Sequence, residues 1–215
     1  MISYKYRIIE IGGNDMDKLK KIANTLDSVA KIIFYVNIGA AILFLVIWII
    51  IFGEVAKDSN ALREYLVLTL GSVKLGIVPE LAPSVTYTNI RFYAGMLMVF
   101  LLTFLMLYGV KIARKILKPM KEGLPFDESI SKNLKNLGTL TLIGGGLWSI
   151  TKLVIDTTTF KAYHISELFR PEIVTSVELS ASLDTTFLLI AAVFFLLSYI
   201  FQYGAELQKL SDETL

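Results

Sequence analysis

Four long runs of apolar residues constrain this chain more than any other feature of its sequence. Each run has about the twenty residues that a helix needs to cross roughly 30 Å of hydrocarbon. Inside a bilayer, only a helix or a closed barrel satisfies every backbone hydrogen bond, and runs of this length favour helices. The sequence therefore predicts four transmembrane spans, over residues 32–53, 92–110, 137–155 and 185–205.

Composition supports a membrane protein. Hydrophobic residues make up 54% of the chain and charged residues 19%, and the mean hydropathy is +0.62. Soluble domains carry about a quarter charged residues. The chain has no cysteine, which excludes disulfides, thiol catalysis and cysteine metal sites, and a net charge of +2 is too small to predict a nucleic-acid partner.

The loop between the second and third spans carries much of the positive charge. Its stretch 111–138 holds seven of the twenty-one Lys and Arg residues: Lys111, Arg114, Lys115, Lys118, Lys121, Lys132 and Lys135. Basic loops stay in the cytoplasm because moving Lys or Arg across a membrane is costly. With both termini on that side, fourteen Lys and Arg residues lie inside and seven outside. We therefore predict an inner loop over 111–136, cytoplasmic N and C termini, and a multi-pass protein of the cell (inner) membrane.

The first 31 residues form a separate region in this prediction, an arm followed by an amphipathic helix. Apolar residues recur at three- and four-residue steps, with lysines on much of the remaining surface: Leu19, Ile22, Leu26, Val29 and Ile33. Such a helix is suited to lying at the inner interface, beside anionic head groups. The alternative is a solvated helical extension of the first span.

The two predicted outer loops, 54–91 and 156–184, carry strand-like patterns. Residues 65–78 are rich in β-branched side chains around Gly71 and Ser72, which predicts a hairpin, and 173–182 alternates apolar with polar residues. The predicted fold is an all-α membrane bundle of four transmembrane helices with an N-terminal amphipathic helix and a small extracytoplasmic β element. The single histidine, His164, is interpreted as an ordinary surface residue.

Polar and small residues inside the spans indicate helix contacts. Asn37 is the one strongly polar side chain of the first span, and Gln202 lies near the inner end of the fourth. An amide in lipid needs a partner, which predicts that Asn37 faces another helix. Gly144, Gly145 and Gly146 in the third span favour tight helix packing, and a flexible break beside a cavity is the alternative.

Three short motifs resemble a known family. They are GLPFD at 123–127, NLKNLG at 133–138 and YGAELQ at 203–208. Together they resemble the bacterial membrane family named domain of unknown function 2975, with likeness over 32–215 and only a partial match to the acidic run after GAELQ. The resemblance implies four spans, a bacterial inner-membrane location and often a neighbouring helix-turn-helix regulator, and it implies no known reaction.

The position of these motifs suggests the function. They lie at the predicted inner face, and no Asp, Glu, His or Arg lies deep in a span, which lowers the expectation of an enzyme. We predict a sensory, accessory or immunity-type protein that engages a ligand or lipid outside and a partner inside. The candidate partner-binding residues are Pro125, Phe126, Glu206 and Gln208, and no catalytic residue, cofactor or metal is predicted.

Two alternatives stay open from the sequence. One is a small transporter or channel subunit, in which Asn37, Gln202 and the glycine run line a polar path within a homo-oligomer. The other is a lipid-modifying enzyme with outer carboxylates such as Asp156 and Glu167. The predicted partners are membrane lipid and either a protein partner or further copies of the chain.

Overall fold

The computed structural model describes residues 2–57, 68–70, 73–75, 84–162, 164 and 184–213. Its elements in chain order are helix α1 (Ile2–Lys57), strands β1 (Leu68–Leu70) and β2 (Val73–Leu75), and helices α2 (Val85–Lys121), α3 (Glu128–Ala162) and α4 (Thr186–Glu213). Each helix covers one predicted span, with α4 beginning one residue into its span, and each is long and apolar enough to cross a membrane. By length and composition, the prediction of four helices able to span a membrane is confirmed.

Helix α1 joins regions that the sequence analysis treats as separate. It runs without a break from Ile2 to Lys57, so the N-terminal arm, the amphipathic segment and the first span form one helix. Of the two interpretations of this segment, the continuous helix favours an extension of the first span.

The turn between α2 and α3 is much shorter than the predicted inner loop, because both helices extend into it. The N–H of Leu124 donates to the carbonyl of Pro119 at 2.9 Å, and the N–H of Gly123 donates to Met120 at 3.2 Å. This pair of bonds is a Schellman motif, whose left-handed position suits glycine. Gly123 has φ +83°, as the motif requires. Pro119 lies inside the last turn of α2 and does not end it.

Strands β1 and β2 pair antiparallel, with Leu68 opposite Leu75 and Leu70 opposite Val73. They fall in the predicted hairpin and are three residues each. The larger extracytoplasmic β element stays a prediction, since the predicted strand 173–182 lies outside the described residues.

The chain divides into two compact units. The first contains 1–39, 103–145 and 185–215. Its core lies near the α2–α3 turn, where each of α2, α3 and α4 contributes side chains spaced three or four apart. Ile130 is fully buried there, among Ile112, Ile116 and Leu134, with Leu197 and Phe201 packed against them.

The second unit contains 40–102 and 146–184. In its described part, the Ser149 hydroxyl donates to the carbonyl of Asp184 at 2.8 Å. The Phe52 and Tyr93 rings pack edge to face at 6.3 Å. An apolar groove of about 310 Å³ lies beside them. It is lined by Phe44, Leu45, Trp48, Tyr93, Met96, Leu97 and Phe100.

Candidate functional site

Two of the three sequence motifs contact each other in the first unit. The Phe126 ring of the α2–α3 turn lies 6.0 Å from the Phe201 ring of α4, measured between centroids. A Cβ atom at Gly204 would collide with the Phe126 ring, so glycine is needed for this close approach. Phe126 nevertheless stays 41% exposed. Residues 78 apart in sequence thus form one continuous surface.

Helix capping positions Phe126 on that surface. Asp127 is the N-cap of α3, since its Oδ1 accepts a hydrogen bond from the N–H of Ser129 at 2.8 Å. Hydrogen bonding from Ser129 holds the pKa of the Asp127 carboxyl below its usual range. The Schellman motif closes the other side of the turn, so both ends of the segment that carries Phe126 are anchored.

The predicted partner-binding residues lie on and beside this contact. Pro125 precedes Phe126 in the turn and is half-buried, while Glu206 and Gln208 are exposed on α4. Gln208 follows Gly204 by four residues, which places both on one face of α4. We call Phe126, Gly204, Glu206 and Gln208 the motif surface. The sequence motifs did not predict the contact between Phe126 and Gly204.

A polar groove of about 580 Å³ runs between α3 and α4 next to the motif surface. Its lining residues recur on one face of each helix: Glu128, Ser129, Ser131, Lys132, Lys135, Ser198, Gln202, Ala205 and Glu206. Its volume lies within the range of roughly 300–1,000 Å³ typical of ligand sites. The sequence analysis named two of these residues, Gln202 and Glu206, without grouping them.

Two buried serines connect the helices at the base of the groove. The Ser131 hydroxyl donates to the carbonyl of Ser198, and the Ser198 hydroxyl donates to the carbonyl of Ser131, both at 2.9 Å. Buried hydroxyls need such partners, because an unsatisfied one costs about 1–3 kcal/mol. The reciprocal pair therefore fixes the register of α3 against α4.

The charged residues of the groove are nearly all unpaired. The Gln202 side-chain amide donates to Glu206 at 3.3 Å. Glu128 and Lys132 are four residues apart on one helix face, a spacing that allows an ion pair. Within the described part of the chain, however, no ion pair joins them, and Lys135 has none either.

A second charged cluster lies between α1 and α2. Asp27 is buried, and its carboxylate accepts hydrogen bonds from Lys121 at 2.7 Å and Arg114 at 2.9 Å. Lys31 lies 3.4 Å from the same carboxylate. A buried carboxylate is tolerated when it is paired in this way. We call Asp27, Lys31, Arg114 and Lys121 the Asp27 cluster.

Contacts on either side of the Asp27 cluster show that α1 packs antiparallel to α2. Towards the start of α1, Met16 and Lys20 lie beside Gly123, where an added Cβ would approach the Lys20 side chain to 2.9 Å. Further along, Lys111 lies over the Phe34 ring at 5.9 Å. The charged face of α1 is therefore used partly for contact with α2, which its amphipathic pattern alone did not show.

The other predicted residues do not join these sites. Asn37 is half-buried, and its Oδ1 has no hydrogen-bond partner among the described residues. The glycine run lies inside uninterrupted α3, and a Cβ at Gly145 would collide with Phe187, which favours tight packing. His164 is exposed, two residues after the end of α3. Glu167 lies outside the described residues, so the predicted outer pair with Asp156 stays a prediction.

Comparison with known proteins identifies the family. No curated protein and no solved structure has significant similarity to the chain. The family model described as "Protein of unknown function (DUF2975)" matches residues 73–215, which include the α2–α3 turn, the polar groove and the motif surface. The match covers well over half of the chain, so this protein belongs to the DUF2975 family.

Proposed function

We propose that this protein is a sensory, accessory or immunity-type membrane protein that binds a protein partner through the motif surface. The observation that carries the proposal is the contact of Phe126 with Gly204 and Phe201. Two distant motifs are held together there, yet the Phe126 ring stays partly exposed. Aromatic residues, Phe among them, are enriched at protein–protein interfaces.

The exposed side chains of α4 extend this surface. Tyr203 and Leu207 are four residues apart and both are about half exposed. They lie next to Glu206 and Gln208, where α4 changes from apolar to charged sequence. An apolar stripe beside polar residues is the pattern by which helices recognise partner grooves or partner helices.

Membrane orientation is part of the proposal. Four helices of suitable length and apolarity support a membrane protein. The excess of Lys and Arg in 1–31 and 111–138 supports placing the motif surface in the cytoplasm. The predicted outer loops, including the predicted β element, would then meet a ligand or lipid outside. Labelling of a cysteine introduced at Glu122 tests this, because a membrane-impermeant maleimide should modify it only after the cells are opened.

Site-specific photo-crosslinking tests the partner. A photoreactive residue at Phe126 or Gln208 should give a discrete crosslinked protein in native membranes. The same residue at Ile143, which is exposed at mid-span, should crosslink only lipid. A photoreactive residue placed at Leu207 should give the same product. The combined Phe126→Ala and Gln208→Ala variant should lose the product that forms from Leu207. Equal crosslinking from positions 126 and 143, or no protein product from the motif surface, would contradict the proposal.

The transporter or channel alternative has less support. Its features were a helix break at the glycine run and a polar path through Asn37 and Gln202. Gly144, Gly145 and Gly146 instead lie within continuous α3, and Gln202 is exposed in the polar groove. Solute flux in vesicles containing the protein, measured against empty vesicles, tests this alternative directly.

A further inference from the structure

Charges in the polar groove are ordered along the helices. On α3, the carboxylate Glu128 comes first, Lys132 follows one turn later and Lys135 lies next to the apolar run. A helix rises about 1.5 Å per residue, so Lys135 lies about 10 Å along the axis from Glu128. No charged residue occurs between Lys135 and Lys152. The lysines are therefore on the side of the groove nearer the hydrocarbon.

Helix α4 contributes its charge at the same end as Glu128. Gly204 contacts Phe126, which directly precedes α3, so this part of α4 lies level with the beginning of α3. Glu206 is further along α4 and is the first charged residue after Asp184. Both carboxylates thus lie on the side of the groove away from the hydrocarbon, and the net charge of the two carboxylates and two lysines is zero.

We propose that this groove binds the head group of a zwitterionic phospholipid with a primary ammonium, namely phosphatidylethanolamine. In such a lipid, the phosphate is nearer the acyl chains and the ammonium is further out, which is the reverse of the charge order in the groove. The phosphate lies against Lys132 and Lys135, which reach the interface with long apolar stems. The ammonium donates hydrogen bonds to Glu128 and Glu206.

The unpaired state of the groove charges supports a ligand. Glu128, Lys132 and Lys135 have no ion-pair partner among the described residues, although Glu128 and Lys132 are spaced to form one. Charge-assisted hydrogen bonds to a phosphate and an ammonium are roughly twice as strong as neutral ones. A zwitterionic head group therefore matches both sets of charges at once.

The same chemistry discriminates among lipids. An anionic lipid such as phosphatidylglycerol satisfies the lysines but leaves the two carboxylates without a cation. Phosphatidylcholine has the right charges, but its quaternary ammonium has no N–H to donate to a carboxylate. We therefore expect phosphatidylethanolamine to bind most tightly. The lipid site shares Glu206 with the motif surface but otherwise depends on Glu128, Lys132 and Lys135 and not on Phe126 or Gln208. The lipid test and the partner test can therefore fail separately.

Native mass spectrometry of the full chain in detergent tests the proposal. The three lipids, with identical acyl chains, are titrated separately and their apparent affinities are compared. We expect phosphatidylethanolamine to bind about tenfold more tightly than each of the others, a difference of about 1.4 kcal/mol. Equal affinities for the three lipids would overturn the proposal.

Charge variants locate the site. The Glu128→Lys and Lys132→Glu double variant keeps the net charge and inverts the order on α3, so it should abolish the preference. The Glu128→Gln and Glu206→Gln double variant should remove discrimination between phosphatidylethanolamine and phosphatidylcholine. The matched control is Lys115→Gln with Glu122→Gln, which are exposed on and just after α2 and should leave the affinities unchanged. An unchanged preference in the inverted variant, with the native helix content, would contradict the site.

Two further measurements keep the test decisive. If the inverted variant does not fold, the single Glu128→Gln and Lys135→Gln variants replace it, since both residues are exposed. Unchanged lipid affinities in both variants would overturn the proposal.

Free O-phosphoethanolamine distinguishes a lipid from a soluble ligand. We expect it to compete only at much higher concentration than the lipid. Competition at the same concentration would assign the groove to a soluble ligand and overturn the lipid proposal.

Discussion

The Asp27 cluster and the polar groove use the same types of charged side chain in opposite ways. In the cluster, one buried carboxylate is paired with three cations from α1 and α2. In the groove, two carboxylates and two lysines face one cavity with no ion pair among them in the described structure. Both lie in the first unit of the molecule.

The difference follows from burial. Asp27 is 5% exposed, and a carboxylate at that depth needs its counterions to be tolerated. Glu128, Lys132 and Lys135 are exposed, so water can solvate them without a partner. We therefore expect the Asp27 cluster to stabilise the fold and the groove charges to serve binding. The largest expected loss of stability tests this distinction directly, and smaller losses are expected at the contacts that hold α3 and α4 together.

Substitution of Asp27 should have the largest effect. Asp27→Asn removes the charge that three cations share and leaves them close together. We expect a loss of about 3 kcal/mol, the low end for a broken buried ion pair, because the cations are partly exposed. Thermal or denaturant unfolding in detergent measures this loss. The control is the same chemical change at an exposed position, Glu128→Gln, which should change stability by less than about 0.5 kcal/mol. Similar losses in both variants would remove the distinction.

The contact between α3 and α4 should tolerate no extra atom at Gly145. Gly145→Ala places a methyl group against Phe187, and overpacking of this kind costs about 1–3 kcal/mol. Gly146→Ala is the matched control, since a Cβ there meets nothing within 4 Å. Unfolding of the two variants under the same conditions should separate them. Equal stability would contradict the close contact between Gly145 and Phe187.

The serine pair at the base of the groove should contribute less. Ser131→Ala removes the hydroxyl bond to the carbonyl of Ser198, which keeps its helical N–H donor, and we expect a loss of about 1–1.5 kcal/mol. The Ser131→Ala and Ser198→Ala double variant should lose less than the sum of the two single losses, because the serines bond each other. A double-mutant cycle measures this coupling. Strict additivity would indicate that the two hydroxyls act independently.

The Asp127 cap should give the smallest and a pH-dependent effect. The carboxyl pKa is lowered by bonding to Ser129, so its stabilisation is present above the unfolded value of about 3.9 and is lost as pH falls through the folded value. We expect a contribution of up to about 1 kcal/mol at neutral pH. Asp127→Asn should reduce the loss of stability below about pH 4. Identical pH profiles for the two proteins would argue against a charged cap.

Much of the fold was predictable from local sequence. The four helices follow from long apolar runs, of which only 137–155 contains a charged residue, Lys152. The turn follows from Gly123 and Asp127, whose conformational preferences are local. The pattern of 1–31 left two alternatives open, because an amphipathic pattern is the same whether the helix meets lipid or packs on α2. Asp27 is the decisive residue there, since its counterions Arg114 and Lys121 are distant in sequence.

The candidate site was only partly predictable. The motifs pointed to Phe126 and Glu206 but not to the contact between Phe126 and Gly204. That contact depends on how α3 and α4 align, which is set by the buried Ser131 and Ser198. A serine in a helix has no distinguishing pattern, so the groove could not be assembled from the sequence. The small Gly204 beside Tyr203 was the one available hint.

The long-range pairing of Asp27 has a consequence for biosynthesis. Asp27 and Lys121 are 94 residues apart, and a ribosome adds residues at about 5–20 per second. For several seconds, therefore, the carboxylate emerges with only its neighbour Lys31 to neutralise it, and α1 cannot take its final place until α2 has been made. We expect the early chain to keep this acidic position in water, so that synthesis of the second helix triggers docking of the first.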